Sequence, residues 1–133
     1  MSSEDRAKKN DLALLLEPLK ERLAEMSDEE KFKTVISLFG RRGKKAVQAI
    51  KDNTQILKVK NKPVYLVRGK QLDYVIIDLG YCSCEDFYLN NVLRGLSVPC
   101  YHQLVLLLAQ SMGKNIEEIS VHEFQLHLSK SLS

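Results

Sequence analysis

All three cysteines of this chain fall in one pattern: Cys82-Ser83-Cys84, fifteen residues, then Cys100-Tyr101-His102. No cysteine lies elsewhere. Zinc accepts thiolate and imidazole in a tetrahedron, so a Cys₃His set delivered as two close pairs can fill its coordination shell. A shell closed by protein donors leaves no position for a substrate water, and the ion expected here is one structural Zn²⁺ held by Cys82, Cys84, Cys100 and His102.

The spacing constrains the backbone. Residues i and i+2 of a strand face the same way but sit too far apart for two sulfurs about 2.3 Å from one metal, so Cys82 to Cys84 must bend into a tight knuckle. In a helix, i and i+2 point to nearly opposite faces. Cys100 is therefore expected just outside a helix that begins near Tyr101, with Pro99 setting the approach and His102 in the first turn. The positive end of that helix favours a thiolate. Three inert buried cysteines, a disulfide with one spare thiol, and a Cys-x-Cys redox pair are the alternatives. A disulfide is disfavoured because the chain opens with no apolar leader and is expected in a reducing compartment.

At 133 residues the chain suits one domain with a real core, yet is small enough for a metal to matter to its stability. It has no apolar run of the roughly 20 residues needed to span a bilayer, so a soluble, intracellular protein is expected. The net charge of +3 conceals an asymmetry: residues 40–70 carry ten Lys or Arg and one Asp. Arg41, Arg42, Lys44 and Lys45 open a helical segment there, while Lys58, Lys60 and Lys62 are expected to alternate along one strand face. With Arg68 and Lys70 they form a candidate surface for a nucleic-acid backbone, since such cations displace condensed counterions without reading sequence. A solvated sheet face and loop is the alternative. Only Tyr65, Tyr74 and Tyr81 lie near enough to offer base stacking.

The first ten residues are polar and expected to fray. From Leu12 the positions Leu12, Leu15, Leu16, Leu19, Leu23 and Met26 recur at helical spacing, with Pro18 a possible kink. Ser27-Asp28-Glu29-Glu30 is a capping box that opens a second helix carrying Phe32, Val35, Ile36 and Phe39 inward. Gly40 ends it, and a short helix with Ala46, Val47, Ala49 and Ile50 follows. Three strands are expected over 55–60, 64–68 and 74–79, separated by Asn61-Lys62-Pro63 and by residues 69–72. An antiparallel meander then runs into the cysteine knuckle. Helix 101–112 is apolar around most of its circumference, Gly113 ends it, and the capping box Ser120-Val121-His122-Glu123 introduces a last helix. The expected fold class is α+β: N-terminal helices (11–53) after a disordered 1–10, then the meander, zinc knuckle and C-terminal helices (54–133).

Cys-x-Cys, a gap, then Cys-x-His, after a β meander and leading into a helix, resembles the SWIM zinc-finger family. The segment Ser37-Leu38-Phe39-Gly40, the knuckle Tyr81-Cys82-Ser83-Cys84, the gap with Val92-Leu93-Arg94 and the apolar helix after His102 resemble the short SWIM subunits of Shu complexes over most of residues 35–130. The resemblance implies a non-enzymatic regulator of homologous recombination and DNA repair. It would form a heterodimer with a RecA-like recombinase paralogue and help the main recombinase assemble or persist on single-stranded DNA. It also implies the nucleus in a eukaryote and the cytoplasm in an archaeon. The family's ligand positions fall on Cys82, Cys84, Cys100 and His102. One departure is that many members place an alanine soon after the histidine, where Gln103-Leu104-Val105 stand here.

Such a partner has a candidate surface in Leu104, Leu107 and Leu108, because helices 12–26 and 104–108 are more apolar than a lone domain of this size needs. The alternative is that both fill the core. An autonomous DNA-binding zinc module using the basic block, and a thiol enzyme using Cys82 and Cys84, are the competing functions. His122 and His127, five apart on a helix, lie on different faces and make no second metal site. Asp73, Asp78, Glu85 and Asp86 read as solvated carboxylates. No phosphate-binding glycine loop is present, so ATP chemistry would belong to a partner.

Overall fold

The computed structural model describes the backbone of residues 3–132 and the side chains of residues 12–130. Its centre is α5 (Tyr101–Met112), in which every residue from Leu104 to Ala109 is fully buried. Cys100 stands just before it as the N-cap, and Gly113 closes it in a left-handed conformation, φ 66° and ψ 34°. A helix apolar on all sides needs neighbours on all sides. Here they are α1 (Ser3–Ala24), α2 (Asp28–Phe39), α3 (Arg41–Lys51) and the sheet.

The apolar stripe of α1 is Leu12, Leu16, Leu19 and Leu23, whereas Leu15, expected inward, is half exposed. The helix starts at Ser3, earlier than Leu12, through a segment free of Pro and Gly. The expected fraying of 1–10 thus falls partly on described helix and partly on Met1 and Ser2, which lie outside the described residues. Ser27 caps α2, its Oγ accepting from the Glu30 N–H at 3.2 Å. Gly40, at φ 60° and ψ −127°, takes a backbone conformation that a side chain resists and turns α2 into α3. A Cβ on Gly43 would collide with the Val35 carbonyl, so this glycine permits the close approach of α2 and α3.

The sheet holds five strands, in the order β4 (Tyr81–Cys82), β3 (Tyr74–Ile77), β2 (Val64–Val67), β1 (Ile56–Val59), β5 (Ile116–Ile119). The expected antiparallel meander is present as β1 to β3, but it is the centre of a larger mixed sheet. The knuckle contributes β4, and β5 pairs in parallel with β1, Ile56 opposite Ile116. One face carries Ile56, Val67 and Ile76 into the main core with α5. The other places Leu57, Leu66 and Ile119 under Phe124 of α6 (Val121–Leu132). Ser120 opens α6, its Oγ accepting from the Glu123 N–H at 3.1 Å. Among the described residues, no helix is long and apolar enough to cross a membrane.

The structure departs from two expectations. Lys58, Lys60 and Lys62 do not alternate along one strand. β1 ends at Val59, and Asn61, in a left-handed conformation at φ 62°, makes Lys60 and Lys62 part of the turn into β2. Leu104, Leu107 and Leu108 do not form an outer surface, because the helices and sheet around α5 bury all three completely.

Candidate metal centre

The two ligand pairs are delivered by a strand end and a helix start. Pairing of β4 with β3 sets Cys82 opposite Ile76 and so on the core face of the sheet. Ser83 turns outward, its N–H donating to the Val75 carbonyl and its Oγ accepting from the Val75 N–H, both at 2.9 Å. That pair of bonds makes the knuckle. Cys84 turns back inward and caps α4 (Glu85–Phe87), its Sγ accepting from the Phe87 N–H at 3.4 Å.

Opposite the knuckle, Cys100 precedes α5 and His102 lies in its first turn. The residue that locks the halves together is Gln103. Its Oε1 accepts from the Cys100 N–H at 3.0 Å, and its Nε2 donates to the Leu79 carbonyl at 2.8 Å, in the turn between β3 and β4. Gln103 is fully buried, so both bonds are made out of water. In the sequence, Gln103 stands out only as a departure from the SWIM pattern that the chain resembles. The signal available was Cys100-x-x-Gln103, the spacing of a capping box with cysteine as the cap.

These elements bring the four ligand residues together. One donor atom from each of Cys82, Cys84, Cys100 and His102 lies within 4.8 Å of every other, and all four residues are buried. Cys100 Sγ and His102 Nδ1 are 4.0 Å apart. A tetrahedral ion with ordinary Zn–S and Zn–N bond lengths separates its ligand atoms by roughly 3.5–3.8 Å, so the widest pair would close by about 1 Å around it. All three cysteines are free thiols, and no disulfide joins them. The His102 ring packs against Tyr74, stacked, and against Tyr101, tilted, both at 4.0 Å between centroids.

The cluster's electrostatics also fit a cation. The Cys84 thiol is held far below its usual value because Cys100, then Cys82, donate to its sulfur, against the effect of burial. Cys100 is pushed up, by burial first and then by contact with Cys82 and Cys84. Contact with Cys100 acts to lower Cys82, but Cys84 and burial outweigh it and push Cys82 up to about 12. Three thiolates at this spacing require a positive ion among them. The cluster has the donor set and the spacing to hold a metal ion through four protein ligands.

The fifteen-residue gap is also ordered. After α4 comes a π-helical turn, Tyr88–Leu93, and the return segment is tied to it by Asn91, which accepts from the Val98 N–H at 2.9 Å and donates to the Val98 carbonyl at 2.7 Å. Asp86, expected to be merely solvated, receives two bonds of 2.9 Å from Arg42 and one of 2.7 Å from Asn90. This pair fastens α3 to the helix that Cys84 caps. The Arg42 hydrogen bonds hold the Asp86 carboxyl below the usual carboxylate range.

The basic candidates divide accordingly. Arg42 is engaged by Asp86, and Arg68 by Asp73 at 3.0 Å. Arg41, Lys44 and Lys45 are exposed on α3, and Lys70 on the turn between β2 and β3. Lys58 is half-buried on β1, and Lys60 and Lys62 are exposed at the opposite end of the hairpin from Lys70. The block is thus divided between places, not one continuous face.

Comparison with known proteins finds a relative in Archaeoglobus fulgidus, described as an uncharacterized protein, that is 38% identical over 89 residues. The match covers 66% of this chain and 71% of the relative. The chain belongs to the family of this archaeal protein. No protein-family model matches the chain, and no solved structure matches it significantly.

Proposed function

We propose that the chain is a SWIM-type zinc protein that acts without catalysis in homologous recombination, as the pairing subunit of a RecA-like recombinase paralogue. The observation that carries the reading is the closed ligand set, in which a strand end and a helix start each deliver two buried donors to one point. Four protein ligands of this kind suit zinc over the harder divalent ions, and they suit a structural role because no coordination position remains for substrate. The recombination role rests on the resemblance of the Cys82–His102 pattern and its flanks to the SWIM subunits of Shu complexes.

With Leu104, Leu107 and Leu108 inside the core, a partner has to be met elsewhere. The gap between the ligand pairs supplies exposed apolar side chains: Tyr88, Leu89, Val92, Leu93 and Leu96. Their backbone is held by the same elements that hold the metal ligands, so loss of the ion would unmake this surface as well. On this reading the protein works beside the chromosome, in a eukaryotic nucleus or in the cytoplasm of an archaeon, the kind of organism in which the relative occurs.

Native mass spectrometry of the chain, alone and co-expressed with RecA-like paralogues, tests the reading. One zinc per chain and a stable 1:1 heterodimer with a paralogue are expected. A zinc-bearing monomer that ignores every paralogue would overturn the pairing role, and a chain without zinc would overturn the metal assignment too.

A further inference from the structure

Beside the candidate metal centre, and sharing His102 with it, a cleft of about 740 Å³ lies between α3, the β2–β3 turn and the start of α5. That volume falls in the range of about 300–1,000 Å³ common for small-ligand sites. Its lining combines two chemistries. Tyr74, stacked on His102, and Tyr101, tilted against it, form an aromatic wall, and Lys45, Arg68 and Lys70 bring positive charge against the single acid Asp52. Arg68 is occupied by Asp73, but neither Lys45 nor Lys70 has an ion-pair partner among the described residues. The Lys45 ammonium instead lies over the Tyr101 ring, 5.5 Å from its centroid.

We infer that this cleft is a subsite for single-stranded nucleic acid, in which the Tyr101 face stacks on an unpaired base while Lys45 and Lys70 hold the flanking phosphates. Aromatic rings bordered by lysines are the usual means of holding unpaired bases without reading their sequence. Lys45 now covers the Tyr101 face and would exchange that cation–π contact for a phosphate as a base arrives. A strand longer than the cleft also has somewhere to go. Arg41, Lys44, Lys45 and Gln48 are exposed at helical spacing along α3, a polar, mostly basic stripe that leads out of the cleft. A duplex keeps its base faces stacked internally and cannot use the aromatic wall. The inference is independent of the recombinase partner, since every residue it uses belongs to this chain.

The test is fluorescence anisotropy with the zinc-loaded chain alone and labelled oligo-dT of twelve and of three nucleotides, oligo-rU, and a blunt duplex. Binding of the twelve-nucleotide single strand, stronger than that of the trinucleotide and the duplex, is expected. Equal affinity for oligo-rU assigns the site to either nucleic acid, and preference for one sugar assigns the natural strand. The double variant Lys45→Glu, Lys70→Glu should weaken binding at least about tenfold and flatten its salt dependence. Lys60→Glu, Lys62→Glu makes the same charge change at the far end of the hairpin and should leave affinity within about twofold of wild type. Tyr101→Leu, with zinc content and melting checked, should weaken binding about tenfold with little change in salt dependence. No binding to any single strand would overturn the inference. So would equal losses in the two double variants, or a duplex bound as tightly as the single strand.

Discussion

Gln103 ties the two halves of the candidate metal centre together. Its amide answers the Cys100 N–H with one end and the Leu79 carbonyl with the other, so a single side chain sets the start of α5 against the turn that feeds the knuckle. Truncation to alanine leaves both backbone groups buried and unpaired. Such groups cost about 1–3 kcal/mol each, so Gln103→Ala should lose about 2–5 kcal/mol in denaturant unfolding of the zinc-loaded protein and release zinc to a competing chelator sooner. Gln103→Glu keeps the acceptor for Cys100 but not the donor for Leu79, and should fall between alanine and wild type. The ligands themselves were legible in the sequence because the i, i+2 spacing admits few backbones. A knuckle and a helix cap follow from it, and Cys84 and Cys100 occupy those places. Gln103 was harder to see because its second partner lies in a turn on the other side of the site.

Among the elements, local signals were readable and long-range pairings were not. Ser27, Gly40, Gly113 and Ser120 mark helix ends by chemistry confined to a few residues, and all four mark boundaries. β5 escaped notice because Ile116-Glu117-Glu118-Ile119 lacks the alternation of a half-buried strand. Its pairing with β1 depends on a distant segment. The apolar excess of α5 did not distinguish a core helix from an interface, since both bury the same side chains. The Arg42–Asp86 pair joins elements far apart in the chain, and it offers a pH-dependent test. The Asp86 carboxyl is held below its unfolded value, so its contribution is present above about pH 4 and is lost as pH falls through the folded value. Both side chains are more than a third exposed, which limits the contribution to about 1 kcal/mol or less. Asp86→Asn should therefore be slightly less stable than wild type near neutrality and indistinguishable from it in strong acid. Urea unfolding at the two pH values checks this.

For the whole molecule, the metal cluster lies where three parts meet: the sheet through β4, the central helix through Cys100 and His102, and α3 through the Arg42–Asp86 pair. On the proposed zinc-protein reading, removing the ion would leave three crowded thiols with little reason to stay together. Structural zinc contributes on the order of 10 kcal/mol to folding in finger peptides, a figure comparable to the whole stability of a domain of this size. Chelation should therefore abolish the cooperative thermal transition, followed by circular dichroism, and zinc alone should restore it. A Cys84→Ser chain should lack the transition at any zinc concentration. Retention of a wild-type melt after complete chelation would refute the structural role of the metal.

The parallel pairing of β5 with β1 carries a consequence for synthesis on the ribosome. All four metal ligands leave the exit tunnel before Ile116 to Ile119 follow, so the nascent chain has every donor for its ion while one border of the sheet is still bare. Until β5 arrives, β1 offers its free backbone to any neighbouring strand. In that interval the growing chain is most vulnerable to pairing with a stranger, and a chaperone would help it most.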